Sequence, residues 1–332
     1  MQYNKLKIAV LGYGSWATAL VKLLSYHDVQ INWYVRDNQM IDDIKKTNHN
    51  PNYLSSVKIE NEKINLYSNP NECINNADII IFVVPSIYFL KLFNQINPEK
   101  LKNKIIISAI KGIIPENQKI ISQHLIDNKI NPDNIAIIGG PCHAEEIALE
   151  KLSYLTIAAN NDNLQKQLTN LITCRYVKIS LSKDVSGIEY TSVLKNIMAV
   201  AAGICHGLGY GDNFQAVLLS NALHEIQIFL DNINPFNRDL SQSVYLGDLA
   251  VTAYSQFSRN RTFGNMIGKG YSVRTANLEM NMIAEGYYGT KAIYKIIKEK
   301  NINLPIVEAV YNILYQNISP YIEIKLLTDK LI

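Results

Sequence analysis

The chain has 332 residues, 48% hydrophobic and 18% charged, which is length enough for two domains with a core each and unlike the polar make-up of a disordered chain. A formal net charge of +3 is too small to point to nucleic acid or a membrane surface as partner. The four cysteines, Cys73, Cys142, Cys174 and Cys205, form no CxxC pair, so neither a zinc site nor a disulfide framework is expected. Reduced thiols in a cytoplasmic protein are the expectation instead. Residues 1–7 are polar, so no signal peptide is expected, and the apolar run 77–85 is interrupted by Asp78 and too short to span a bilayer.

In the first half, β-type runs alternate with helical stretches. Residues 7–11 read as a strand and 15–27 as a helix. Further strands are expected at 30–35, 64–67, 78–84, 104–109, 134–138, 155–159 and 176–180, with a helix at 86–94. The Ile-rich runs at 79–84 and 105–107 suit strands buried on both faces. This alternation predicts a Rossmann-type, doubly wound, mostly parallel α/β sheet. From about residue 187 the period changes. Stretches 189–204, 213–230, 283–300 and 306–315 repeat apolar residues at helical spacing. The reading is therefore a dinucleotide-binding domain over 1–187 and an all-helical substrate domain over 188–332.

Directly after the first strand stands Gly12-Tyr13-Gly14-Ser15-Trp16-Ala17, the G-x-G-x-x-A form of the dinucleotide fingerprint. Its first glycine permits the tight turn, its second lets backbone approach a pyrophosphate, and a small third residue lets helix pack on strand. Such a string is weak evidence alone. Placed between a strand and a helix, it is better read as a cofactor turn than as a plain one. The second strand ends in Arg36-Asp37. An acidic residue there binds the ribose hydroxyls of NAD, whereas arginine accommodates the 2′-phosphate of NADP. NADH and NADPH both stay open, with Arg36 favouring NADPH.

Three further strings carry chemistry: Ala109-Ile110-Lys111-Gly112 and Gly139-Gly140-Pro141-Cys142-His143-Ala144-Glu145-Glu146, each at the end of a strand, and Gly247-Asp248-Leu249 followed by Ser258-Arg259-Asn260-Arg261-Thr262-Phe263-Gly264. Ligands bind at the carboxyl ends of strands in doubly wound sheets. Lys195 stands in an almost wholly apolar helical stretch, Val193-Leu194-Lys195-Asn196-Ile197-Met198. A lysine so placed must snorkel, pair, or do chemistry, and desolvation moves an ammonium toward acid–base work near neutrality. For an arbitrary lysine the structural role is the commoner one; the neighbouring motifs favour chemistry. Cys142 beside His143 is not read as a nucleophile–base pair, because adjacent loop residues rarely form one and no orienting group is evident.

Taken in order, Gly-x-Gly-Ser-Trp-x-Thr-Ala-Leu, Lys111-Gly112, 140–146, Leu194-Lys195-Asn196, Gly247-Asp248-Leu249, 258–264 and Ala284-Glu285-Gly286 resemble the bacterial NAD(P)-dependent glycerol-3-phosphate dehydrogenases. The resemblance covers essentially the whole chain. It implies a second domain like that of 6-phosphogluconate dehydrogenase, and reversible reduction of dihydroxyacetone phosphate to sn-glycerol 3-phosphate for glycerophospholipid synthesis. It implies Lys195 as the proton acceptor, and as the acid in the reducing direction. Lys111, Gly140, Cys142, Asp248, Ser258, Arg259 and Asn260 would join Lys195 in binding substrate. Gly12, Gly14, Ser15, Trp16, Ala17, Arg36, Tyr53, Lys111, Ala144, Arg259, Ile283 and Glu285 would contact the cofactor. A homodimer is a further implication. Two departures stand out. Alanine replaces the common glycine at Ala17, which the fingerprint tolerates. Cys142 replaces a usual Ser or Thr, putting a weaker donor at a substrate contact. The rival readings are a 3-hydroxyacid or ketopantoate dehydrogenase with the same two domains, which should lack the 258–261 string, and a non-catalytic nucleotide-sensing module, which would have little use for both Lys111 and Lys195.

Overall fold

Eight runs rich in Ile, Val and Ala form strands: β1 (Leu6–Leu11), β2 (Val29–Tyr34), β3 (Ile64–Tyr67), β4 (Ile79–Phe82), β5 (Ile105–Ser108), β6 (Ile135–Gly139), β7 (Ser153–Ala159) and β8 (Val177–Ser182). In the computed structural model, which describes residues 5–280 and 282–332, they make one sheet in the order β3-β2-β1-β4-β5-β6-β7-β8. Pairing is parallel from β3 through β6, and only β6 and β7 run antiparallel, Ala136 opposite Ala159 and Gly139 opposite Thr156. All four residues of β4 are buried, as its Ile-Ile-Ile-Phe run requires for an interior strand covered on both faces. β1 pairs with β2 on one side and β4 on the other. The strand order thus reverses at β1, and the turn that follows β1 lies at this switch point.

The sheet carries helices α1 (Ser15–Ser25), α2 (Asn38–Thr47), α3 (Pro70–Cys73), α4 (Ser86–Phe93), α5 (Ile121–Asp127), α6 (Ala144–Ala148) and α7 (Asp162–Ile172). Each expected strand is present, with ends displaced by two residues or fewer. The helix expected at 15–27 stops at Ser25, and the five helices α2, α3, α5, α6 and α7 were not among the expected elements. The unit extends to Ile110 and resumes over Ile121–Val185.

Lys111–Ile120 cluster instead with Ser186–Ile332 in a second, helical unit. Its helices are α8 (Val185–Gly207), α9 (Asp212–Ile233), α10 (Asp248–Tyr254), α11 (Arg259–Gly268), α12 (Val273–Glu279), α13 (Glu285–Lys300), α14 (Pro305–Tyr315) and α15 (Pro320–Thr328), with a π-type turn at Ser243–Gly247 before α10. Four of these match helical periodicity. α10, α11, α12 and α15 were not expected, because each is ten residues or shorter and has no long apolar stripe; α11 and α12 are instead begun by serine caps. α11 starts at Ser258, whose Oγ accepts from Arg261 N at 3.3 Å, and α12 starts at Ser272, whose Oγ accepts from Thr275 N at 3.0 Å. Among the described residues no helix is long and apolar enough to cross a membrane.

Small residues set the helix spacing around α8. A Cβ on Gly203 or Gly207 of α8 would overlap the backbone of α11 at Arg261 and Asn265. One on Gly264 or Gly268 of α11 would overlap Val200 and Ile204 of α8. The two backbones therefore touch, and side chains projecting near the start of α11 stand directly over α8.

A buried carboxylate completes the unit. Glu225 of α9 is 4% exposed; its Oε1 accepts from Ile306 N at 2.5 Å and its Oε2 from Val307 N at 3.3 Å, satisfying the first turn of α14. Desolvation nevertheless dominates over these bonds and pushes its pKa up to about 8. A carboxyl that titrates higher in the folded than in the unfolded state contributes stability below its unfolded pKa, and loses it as pH rises through about 8. Melting temperatures taken from about pH 5 to about pH 9 should fall in the wild type relative to Glu225→Gln, which is neutral throughout. Parallel curves would contradict this account.

Candidate active site

α8 is apolar on nearly every side, and residues 191–205 are all buried, as befits a helix hydrophobic all round. Lys195 lies in the middle of this run at 2% exposure. Its Nζ neither snorkels nor reaches bulk water; it donates to Oδ1 of Asp248, itself 1% exposed. Asp248 opens α10 directly after the π-type turn, and its backbone oxygen accepts from Thr252 Oγ1 at 2.6 Å. The second oxygen of the same carboxylate, Oδ2, lies 3.9 Å from Lys111 Nζ, whose side chain is partly exposed. One buried carboxylate thus faces two ammonium groups, a dry one and a wetter one. Burying charges is costly unless they are paired and hydrogen-bonded, so this pairing is what permits Lys195 to sit inside.

A line of amides runs beside the pair. Asn196 Nδ2 donates to Lys111 O at 2.7 Å, Asn260 Nδ2 donates to Asn196 Oδ1 at 2.9 Å, and Gly286 N donates to Asn260 Oδ1 at 2.9 Å. Four segments are joined: residue 111, α8, and the first turns of α11 and α13. Gly286 has no room for a side chain, since a Cβ would meet Asn196 O at 2.6 Å. Ser258 is the buried cap of α11, Arg259 its half-buried first residue, and Glu285 the half-buried first residue of α13, two residues after the half-buried Ile283. The structure therefore gathers Lys111, Lys195, Asp248 and Asn260 into one centre. Asn196 was not among the candidates. Its only signal in the sequence is adjacency to Lys195, one step around the same buried helix.

The other candidates belong to the sheet unit. Gly12 adopts φ +136° and stands against Val83, the residue after β4, where a Cβ would overlap the Val83 carbonyl. Only glycine fits such a turn. Gly14 is the N-cap of α1, and a Cβ there would have nothing within 4 Å; this is open space above the turn into which a phosphate can come close to backbone. Ser15 is buried, Trp16 half-buried, and Ala17 fully buried against the sheet. Tyr53 lies beside the turn, its ring edge-on to Tyr13 with centroids 6.1 Å apart. Arg36 is exposed just past β2. Its neighbour Asp37 caps α2, with Oδ1 accepting from Gln39 N at 2.9 Å. Gly140 follows β6 with φ +108°, Cys142 is half-buried, and Ala144 is the buried first residue of α6. Burial holds Cys73 well above the ordinary thiol range and pushes Cys205 up to about 12, so neither is a nucleophile. The donors at Gly12–Ser15, with a small residue at 17, fit the pyrophosphate of a dinucleotide.

Comparison with known proteins agrees with both units. The family model for the N-terminus of NAD-dependent glycerol-3-phosphate dehydrogenase matches residues 7–165, and that for its C-terminus matches 184–325. The chain is 32% identical over 327 residues to glycerol-3-phosphate dehydrogenase [NAD(P)+] of Staphylococcus carnosus, covering 98% of each chain. It is 34% identical to the protein of the same name from Exiguobacterium, covering 96% of this chain and 94% of that one. A crystal structure of glycerol-3-phosphate dehydrogenase from Coxiella burnetii superposes with a TM-score of 0.91 at 26% identity, over 98% of this chain and 99% of that one. With both halves matched and full-length relatives above 30% identity, the chain belongs to the NAD-dependent glycerol-3-phosphate dehydrogenase family.

Proposed function

We propose that the chain reversibly reduces dihydroxyacetone phosphate to sn-glycerol 3-phosphate, with NADPH as the preferred donor, to supply glycerol phosphate for glycerophospholipids. The observation that carries this reading is the buried Lys195–Asp248 pair with Lys111 on the same carboxylate. A bound nicotinamide supplies or accepts the hydride. In the reducing direction the ketone oxygen becomes a hydroxyl and must take up a proton. Lys195 Nζ is the donor, and the same nitrogen takes the proton back in oxidation. Asp248 keeps the lysine in place and compensates its charge as the proton leaves and returns. Lys111, also facing Asp248, adds a second positive group for the oxygen on which negative charge develops.

Phosphate recognition falls to Ser258, Arg259 and Asn260 at the start of α11. A hydroxyl, a guanidinium fork and an amide offer three donor types in succession. Asn260 is held by Asn196 and Gly286, so its direction is set before substrate arrives. Gly140 and Cys142 are assigned to the substrate. Gly12, Gly14, Ser15, Trp16, Ala17, Arg36, Tyr53 and Ala144 are assigned to the cofactor, joined by Lys111, Arg259, Ile283 and Glu285. NADPH is preferred because Asp37 is engaged as a helix cap, leaving Arg36 as the charge at the end of β2 for a 2′-phosphate. A homodimer and a cytoplasmic location complete the proposal.

Three measurements test it. Lys195→Ala should lower kcat for dihydroxyacetone phosphate by about 10²-fold or more while NADPH still binds; near-wild-type turnover would sink the proton-transfer role, and a better rate with 2-ketopantoate would sink the substrate. Arg36→Ala should lower kcat/KM with NADPH by about tenfold and leave NADH nearly unaffected; equal losses with both cofactors would remove Arg36 from phosphate recognition. Sedimentation equilibrium should give a mass twice the 37.5 kDa of one chain, and a value at the monomer mass would exclude the dimer.

A further inference from the structure

The turn Gly12-Tyr13-Gly14 has three consecutive carbonyls, and each is held by a side-chain donor. Trp33 Nε1 of β2 donates to Gly12 O at 2.6 Å, Asn50 Nδ2 donates to Tyr13 O at 2.9 Å, and Thr18 Oγ1 donates to Gly14 O at 3.0 Å. Trp33, Asn50 and Thr18 are each 0% exposed. Asn50 is the hub. Its Nδ2 also reaches Thr18 Oγ1 at 2.8 Å, and its Oδ1 accepts from Asn52 N at 3.3 Å and Tyr53 N at 3.2 Å. Both donor hydrogens and the acceptor oxygen of the amide are therefore used, the condition under which a buried polar group stabilises one arrangement over its alternatives. Residues 50–53 form a side-chain-closed turn, and the same amide that closes it grips the fingerprint.

The peptide plane links this to function. No peptide bond in the described chain is cis, and in a trans peptide the N–H points opposite to the carbonyl that precedes it. Anchoring Gly12 O on Trp33 turns the N–H of Tyr13 to the other side of the turn. Anchoring Tyr13 O on Asn50 does the same for the N–H of Gly14. A side chain at Gly14 would meet nothing within 4 Å, so the turn is not closed over by the chain there.

We propose that Asn50 is the positioning residue of the cofactor turn. With Thr18 and Trp33 it sets the direction of the turn's N–H groups before a dinucleotide binds, and it fixes Tyr53 to that turn so the two are presented together. The inference rests on the assignment of the fingerprint to a dinucleotide, and goes beyond it by naming the buried side chains that make the turn competent. Asn50 touches neither hydride nor substrate in this account. Its effect falls on cofactor affinity.

The test is equilibrium binding of NADPH and NADH to the purified full chain, followed by fluorescence, with steady-state constants and melting temperatures for the same samples. Asn50→Asp is nearly isosteric but turns an acceptor toward Tyr13 O and Thr18 Oγ1. It should raise the dissociation constant for both dinucleotides about tenfold or more and change KM for dihydroxyacetone phosphate by less than about twofold. Thr18→Val keeps the shape and removes the hydroxyl, and should weaken dinucleotide binding about fivefold; Thr18→Ser should restore it. If Asn50→Asp does not fold, the Thr18 pair decides alone. Unchanged dinucleotide affinity in a folded Asn50→Asp or in Thr18→Val overturns the proposal. So does a rise in the substrate KM matching the loss of cofactor affinity, since a merely structural defect would lower both. Failure of the wild type to bind either dinucleotide would instead overturn the cofactor assignment itself.

Discussion

A lysine and an aspartate, both almost without solvent, sit against one another at the centre of the helical unit, and the arrangement around them follows from keeping that pair closed. Lys195 is placed by α8, a helix too apolar to lie on a surface, and Asp248 by a π-type turn and the short helix after it. Removing either partner leaves an uncompensated buried charge, a loss of about 3–5 kcal/mol in comparable cases. The pair is therefore a constraint on folding in its own right. Asp248 can hold it because its second oxygen also faces Lys111, spreading one negative charge over two cations.

Glycine makes the rest of that centre reachable. Gly203 and Gly264 bring α8 and α11 into backbone contact, and Gly286 admits the first turn of α13 beside Asn196. The amide line from Lys111 O through Asn196 and Asn260 to Gly286 N is possible only at that spacing. A larger residue at any of these positions would separate the helices and break a hydrogen bond before it touched substrate. The sheet unit uses the same device: Gly12 lets the fingerprint turn pass against Val83, and Trp33, Asn50 and Thr18 orient what glycine leaves free.

Much of the fold was legible in residue order because its signals are local. Parallel strands buried on both faces read as Ile and Val runs, and the fingerprint is six consecutive residues between a strand and a helix. Lys195 could be singled out because a charge inside an apolar helix is conspicuous. α10 and α11 were not recognised as helices, although they carry Asp248, Arg259 and Asn260. α11 has few apolar residues, and its stability comes from a serine cap and glycine contacts with α8, which periodicity does not report.

By itself the sequence determined the sheet, the glycine-rich turn after the first strand and the presence of a charged lysine in a dry helix, since each depends on neighbours within one element. Tertiary structure alone decided what those groups meet. Lys195 and Asp248 are 53 residues apart, Asn196 and Asn260 are 64 apart, and Lys111 and Asn196 are 85 apart. Asn50, 37 residues from Tyr13, looks in the sequence like any loop asparagine. No local preference encodes such pairings. They arise when burial leaves a polar group without water and only one partner stands within reach.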